Sequence, residues 1–212
     1  MENTKNIGEN IKWVVVGVLL FCFTIIVLFM ITDKIHVFDS CVYNQIYKII
    51  NPTMTSVVKC ITNLGGPLFI VIFALVFSLI IGIKEKDKRT ALLFCLNLVI
   101  VALMNLLLKN IFMRARPEMI NIITESGYSF PSGHSAISMG MYGYLIYIIN
   151  AKSKNNKVKF ISTILLSILI LLIGLSRVYL GVHYISDVLA SFLIYLSYLI
   201  IFTHITENRK DN

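Results

Sequence analysis

Residues 91–112 read ALLFCLNLVIVALMNLLLKNIF, twenty-two residues with a single charge, Lys109, near the end. As a helix rising about 1.5 Å per residue, such a stretch crosses the roughly 30 Å hydrocarbon core of a bilayer. It lacks the in–out alternation of a barrel strand, so a helix is the form that satisfies its backbone in lipid. Working outward, five further apolar segments are found: Trp13–Ile31, Pro67–Ile83, His134–Ile149, Phe160–Leu175 and Val188–Phe202. The fourth and fifth spans in chain order are at the short end for a crossing. The pattern predicts an all-α polytopic membrane protein, residues 1–212 forming one domain of six transmembrane helices in a bundle.

Composition agrees. Of the 212 residues, 57% are hydrophobic and 14% charged, against about 45–50% and about 25% in soluble proteins. This excludes a disordered chain and argues against an ordinary soluble globule. Net charge is +8. Nucleic-acid binding is not expected, because the basic residues are explained by topology: most lie in short loops between the spans, as the positive-inside rule describes. With the N-terminus inside, Lys5, Lys12, the loop from Lys84 to Arg89, the loop from Lys152 to Lys159 and Arg209–Lys210 are all cytoplasmic. Both termini are then cytoplasmic and the protein is a multi-pass cell-membrane protein. The first span is too long for a signal-peptide core and has no small-x-small cleavage site after it.

The stretch Asp33–Gly66 then lies outside. Asp39 and Asn51–Pro52 look like helix starts, and Val42, Ile46, Ile49 and Ile50, then Met54, Val57, Val58 and Ile61, recur at helical spacing. The expectation is two short amphipathic helices on the outer face, lying on the leaflet or packing against the spans. Of four cysteines, Cys22 and Cys95 fall inside spans. A disulfide between Cys41 and Cys60 has no support in their spacing.

Three stretches hold the polar residues that topology does not require. Lys109 and Arg116 are seven apart, two helical turns if the third helix runs on, before Pro117 ends it. Alone, they read as interfacial anchors. Pro131-Ser132-Gly133-His134 starts the fourth span: Ser132 caps, Gly133 lets an anion approach the backbone, and the helix N-terminus favours phosphate. In the third stretch, Ser176 to Asp187, His183 and Asp187 are four apart, so the carboxylate can hold one ring nitrogen and leave the other as nucleophile or base. Alone this is equally a satisfied loop pair. Together, Lys109, Arg116 and Arg177, His134 and His183, and Asp187 fall on the outer face. Three cations around one pocket call for an anion, and a phosphoryl group suits them. The spacing favours His183 over His134 as the nucleophile without deciding it.

In these residues the chain resembles the type 2 phosphatidic acid phosphatases, whose signature is Lys-x6-Arg-Pro, Pro-Ser-Gly-His and Ser-Arg-x5-His-x3-Asp. All three parts are present, in order. The resemblance implies that His183 attacks phosphorus and becomes a phosphohistidine, that Asp187 orients it, and that His134 protonates the leaving oxygen and then activates water. It implies that Lys109, Arg116, Ser132, Gly133 and Arg177 hold the phosphoryl oxygens, with no metal and no cofactor. The partners expected are a lipid phosphate substrate and membrane lipids. The favoured substrate is undecaprenyl diphosphate, because the site faces outside; phosphatidylglycerophosphate or phosphatidate is the alternative. Arg114, Glu118, Glu125 and Tyr128 are expected to be solvated loop residues. A transporter or a non-catalytic lipid-binding protein is the competing class, and the clustering of ionisable groups at span ends rather than at the midplane weighs against transport. Oligomeric state leaves no signature in the sequence.

Overall fold

The structure, a computed structural model, describes residues 2–118 and 121–208; Arg209 and Lys210 of the inner basic set, and the side chain of Lys5, lie outside the described part. The described residues form nine α-helices. Helix α1 (Glu2–Ile31) is followed by α2 (His36–Tyr47) and α3 (Pro52–Asn63). Next come α4 (Pro67–Leu79), extended by a π-helical turn to Lys84, and α5 (Lys88–Phe112). Helices α6 (Gly133–Ser138) and α7 (Tyr144–Lys152), joined by a π turn at Met139–Gly143, make one rod. Then α8 (Asn156–Tyr179) and α9 (Ile185–Asn208) close the bundle.

Five stretches are long and apolar enough to cross a membrane: Asn10–Ile31, Pro67–Lys84, Lys88–Phe112, Asn156–Tyr179 and Ile185–Glu207. The remaining predicted span, the fourth in chain order, is the α6–α7 rod, whose helical pieces are each too short to count by themselves. It sits in the middle, against α5, α8 and α9. Small residues permit this: a Cβ on Gly140 would lie 2.8 Å from Val101 Cγ2, so α5 can approach only because the position is bare. The other spans turn apolar side chains such as Phe21, Leu75 and Leu165 outward. Helices extend beyond the predicted apolar segments because backbone hydrogen bonding continues into the polar interface. Asn155, for example, caps α8 by accepting from the N–H groups of Lys157 and Val158, and Asp87 caps α5 by accepting from Thr90 N–H at 2.9 Å.

Two expectations for the 33–66 stretch are resolved. Asn51 does cap α3, accepting from Met54 N–H at 2.9 Å, with Pro52 next. Asp39 does not start a helix: α2 begins at His36, and Asp39 is buried inside its first turns, where its carboxylate has other partners. Both short helices pack on the bundle, α3 on α8 and α2 on α8 and α9, while Val37 and Val57 face outward. Cys41 and Cys60 are free thiols.

The ends of the bundle differ. At one, Lys152 pairs with Asp87, Arg89 donates to Thr206 O at 2.6 Å, and Trp13 meets His204 edge-on. At the other, α5 and α8 end and α6 and α9 begin, so the three polar stretches converge there.

Candidate active site

Helix α5 stops at Phe112, because Met113 adopts a left-handed conformation and its N–H closes onto Lys109 O. Lys109 and Arg116 therefore do not share a helix face, contrary to the two-turn reading. The chain turns back, and both residues reach the same segment instead: Lys109 Nζ donates to Tyr128 O, and Arg116 donates to Gly127 O and Ser126 O, each at 2.9 Å. The third Arg116 link is to Val182 O at 2.8 Å, which places the same Nη1 3.4 Å from His183 Nε2.

His183 lies in the turn between α8 and α9 rather than on a helix. Asp187, in the first turn of α9, accepts Tyr184 N–H at 3.0 Å, and its Oδ2 stands 3.4 Å from His183 Nδ1. That separation is long for a hydrogen bond, and Nδ1 is buried without a hydrogen-bond partner; in this ring orientation Nδ1 faces the carboxylate and Nε2 faces Arg116. Both side chains are buried. Burial pushes the His183 pKa down to about 4, with Lys109 and Arg116 acting the same way and Asp187 opposing them. The imidazole is thus neutral at physiological pH, the form a nucleophile needs.

Arg177, in the last turn of α8, is 1% exposed; it donates to Thr62 Oγ1 at 2.8 Å and pairs with Glu125. Its Nε is buried without a hydrogen-bond partner. Ser132 is fully buried, its hydroxyl accepting from Ser135 Oγ at 2.9 Å as it caps the α6–α7 rod. Gly133 opens that rod, and a Cβ there would stand 3.4 Å from Asn105 Oδ1. His134 is within electrostatic reach of Arg177, Glu125, His183 and Arg116. The three stretches are therefore one constellation.

Arg114, expected to be solvated, is not, and Glu125, exposed as expected, is nonetheless ion-paired. Glu125 bridges Arg177 and, at 3.8 Å, Arg116. Burial alone would raise its pKa, but the charge and hydrogen bond of Arg177 hold it below the ordinary carboxylate value. Arg114 donates to Asp187 Oδ1 at 2.6 Å and to Asp39 Oδ2 at 2.7 Å, with its guanidinium 4.0 Å from the centre of the Tyr184 ring. Glu118 and Tyr128 are exposed, as expected. Asp39 was readable in principle: Val42, Tyr43 and Ile46, three, four and seven residues on, mark the buried stripe of α2, and an acid on such a stripe needs a partner.

The surroundings suit an amphiphile. An apolar cleft of about 590 Å³ runs between α4 and α5 over α6, with His134, Gly133 and Glu125 at one end and Ala74 and Cys95 along it. From Asn105 to Cys95 it descends roughly 15 Å along α5. Val71, Leu75 and Val99 on its walls are more than half exposed, so it opens sideways. Glu125 also borders a second hollow of about 290 Å³, of mixed lining, with Arg116, Asn121 and Thr124 beside Ile123 and Val182. Among the described residues, no group of three or more His, Cys, Asp or Glu is arranged to hold a metal ion.

Residues 90–211 match the family model of the PAP2 superfamily. The chain is 32% identical over 183 residues to phosphatidylglycerophosphatase B of Bacillus subtilis, covering 82% of this chain and 86% of that protein. Among solved structures, it resembles a transmembrane PAP2-type phosphatidylglycerolphosphate phosphatase from Bacillus subtilis (TM-score 0.85, 28% identity, 91% of this chain and 96% of that one). It also resembles LpxE of Aquifex aeolicus (TM-score 0.56, 27% identity, 79% and 93%).

Proposed function

The chain belongs to the PAP2 superfamily and is a membrane lipid phosphatase; from that premise we propose that residues 1–212 act as one domain removing phosphate from phosphatidylglycerophosphate through a phosphohistidine. The observation that carries the mechanism is the orientation of His183. With Nδ1 toward Asp187, Nε2 is the nitrogen turned to the cation cluster, 3.4 Å from Arg116 Nη1. Nε2 forms a bond to phosphorus as the bond to the lipid oxygen breaks, and His134 gives that oxygen a proton. His134 then takes a proton from water, whose oxygen displaces Nε2 and frees phosphate. Arg116, Arg177 and Lys109, with Ser132 and Gly133 at the start of α6, hold the phosphoryl oxygens, and their fixed charges stabilise the transition state. Their present carbonyl and carboxylate partners are oxygens that phosphoryl oxygens would replace.

The lateral cleft supports a lipid substrate: tails lie between α4 and α5 while the headgroup rests in the hollow beside Arg116 and Glu125. Phosphatidylglycerophosphate is preferred because two of the relatives carry that activity in their names. Undecaprenyl diphosphate, favoured from the sequence, is the second reading. It rests on charge: the basic loops at the end remote from the site support a cytoplasmic position for that end and both termini, and hence an outward-facing site. The test is phosphate release by purified protein from phosphatidylglycerophosphate, phosphatidate and undecaprenyl diphosphate. Fastest turnover of the first supports the reading. Fastest turnover of the diphosphate transfers the assignment to the second reading, and release from none of them refutes a phosphatase.

A further inference from the structure

We infer that Asp39 and Arg114 are positioning residues for the nucleophile: a buried Asp39–Arg114–Asp187 chain holds the carboxylate that holds His183. This rests on the reading of His183 as nucleophile and extends it to residues outside the three signature stretches.

The geometry is continuous. Arg114 spans two carboxylates with different nitrogens, Nη2 to Asp39 Oδ2 at 2.7 Å and Nη1 to Asp187 Oδ1 at 2.6 Å. Ser186 closes the figure: its N–H donates to Asp39 Oδ1 at 3.0 Å, its hydroxyl to Asp39 Oδ2 at 2.7 Å, and it accepts from Arg114 Nη1 at 2.8 Å. Exposure along the chain is 1% at Asp39, 11% at Arg114 and 0% at Asp187. Three parts of the chain meet here: α2, the turn after α5, and the first turn of α9. Asp39 therefore ties a short helix outside the main spans to the turn that presents His183.

Chemistry gives the arrangement a purpose. Asp187 has one oxygen for His183 and Tyr184 N–H; without Arg114 the other would be a buried, unpaired anion free to rotate. The planar guanidinium reaches both carboxylates at once, one nitrogen to each at a fixed spacing, which the single ammonium of a lysine on its flexible stem does not reproduce. Asp39 in turn neutralises Arg114, so the pair adds orientation with little net charge. The cation load on His183 then comes from Lys109 and Arg116, with Asp187 opposing them and His134 close by.

The test uses purified full-length protein, a short-chain phosphatidylglycerophosphate as substrate, and the variants Asp39→Asn, Arg114→Gln, Arg114→Lys and the double variant Asp39→Asn/Arg114→Gln. Each single change is expected to lower kcat by about ten- to a hundredfold with KM within about twofold, since orientation of the attacking nitrogen is lost and ground-state binding is not. The double variant should cost no more than the worse single one, because both act through one link. A merely structural role would not move the pH profile, but here the two changes move it oppositely. Arg114→Gln removes a cation near His183 and shifts the acid limb of kcat/KM to higher pH. Asp39→Asn leaves Arg114 uncompensated and shifts that limb to lower pH. Arg114→Lys should recover the limb position but not kcat. If Asp39→Asn does not yield folded protein, Ser186→Ala reads the same link and should lower kcat with the same unchanged KM. Near-normal kcat, or limbs moving together, in a protein where His183→Ala is inactive overturns the inference. An active His183→Ala instead overturns the reading of the site on which it rests.

Discussion

Lowering the pH protonates His183, and the structure sets where that happens. An imidazole in water titrates near 6.5; burial brings His183 to about 4, with two cations assisting and Asp187 resisting. The acid limb of kcat/KM should therefore lie near pH 4, falling about tenfold per unit below it, since only the neutral ring attacks, while the proton His134 must donate sets the basic limb. At pH 6.5 roughly one molecule in 300 would carry the proton, whereas an unshifted histidine would be half protonated. The same shift links to stability. The folded-state pKa lies below the unfolded one, so the unfolded chain takes up the proton first as pH falls. Stability from this group is complete above about pH 6.5 and is lost between there and pH 4, by on the order of 3 kcal/mol. The assay is phosphate release across pH 3.5 to 8 on detergent-solubilised protein, with thermal unfolding at each pH. An acid limb at pH 6 to 7, absent in no variant but matching a free imidazole, would refute the reasoning that burial tunes this ring.

Other perturbations probe other links. His183→Ala should reduce turnover by several orders of magnitude, and Asp187→Asn by less though still heavily, because geometry survives while the orienting charge is lost; phosphate release under saturating lipid measures both. Activity should persist in a metal chelator and be inhibited by vanadate, which mimics five-coordinate phosphorus; a chelator-induced loss reversed by Mg²⁺ contradicts the cation-only site. Gly140→Val forces a side chain into the contact with Val101 and should destabilise the protein by about 1–3 kcal/mol, read as a lowered unfolding temperature.

Spans were legible because hydropathy reports lipid contact directly: α1, α4, α5, α8 and α9 carry apolar residues all around. The α6–α7 rod was legible less clearly, since its outer surface is protein, and a rod buried among helices can carry Ser135, Ser138 and Gly140 where a lipid-facing one would carry leucine. The candidate constellation stood out because three separate stretches bring ionisable residues to one membrane face where topology does not require them. What did not stand out was the support. Arg114 sits two residues from Arg116 in an extended segment, and nothing local distinguishes a solvated arginine from one spanning Asp39 and Asp187. Those partners lie 75 and 73 residues away in sequence. Glu125 was hidden for the same reason, its carboxylate meeting Arg177 from a loop without regular periodicity. The left-handed turn at Met113 has no sequence signature, since that conformation usually belongs to glycine or asparagine.

Chemical trapping tests the central claim most directly. Protein turning over phosphatidylglycerophosphate radiolabelled at its terminal phosphorus, quenched in alkali where phosphohistidine survives, and digested, should carry the label on the peptide containing His183. None should appear in the Asp187→Asn protein beyond its residual rate. Label on the His134 peptide, or rapid turnover with no labelled histidine at any quench time, would contradict it.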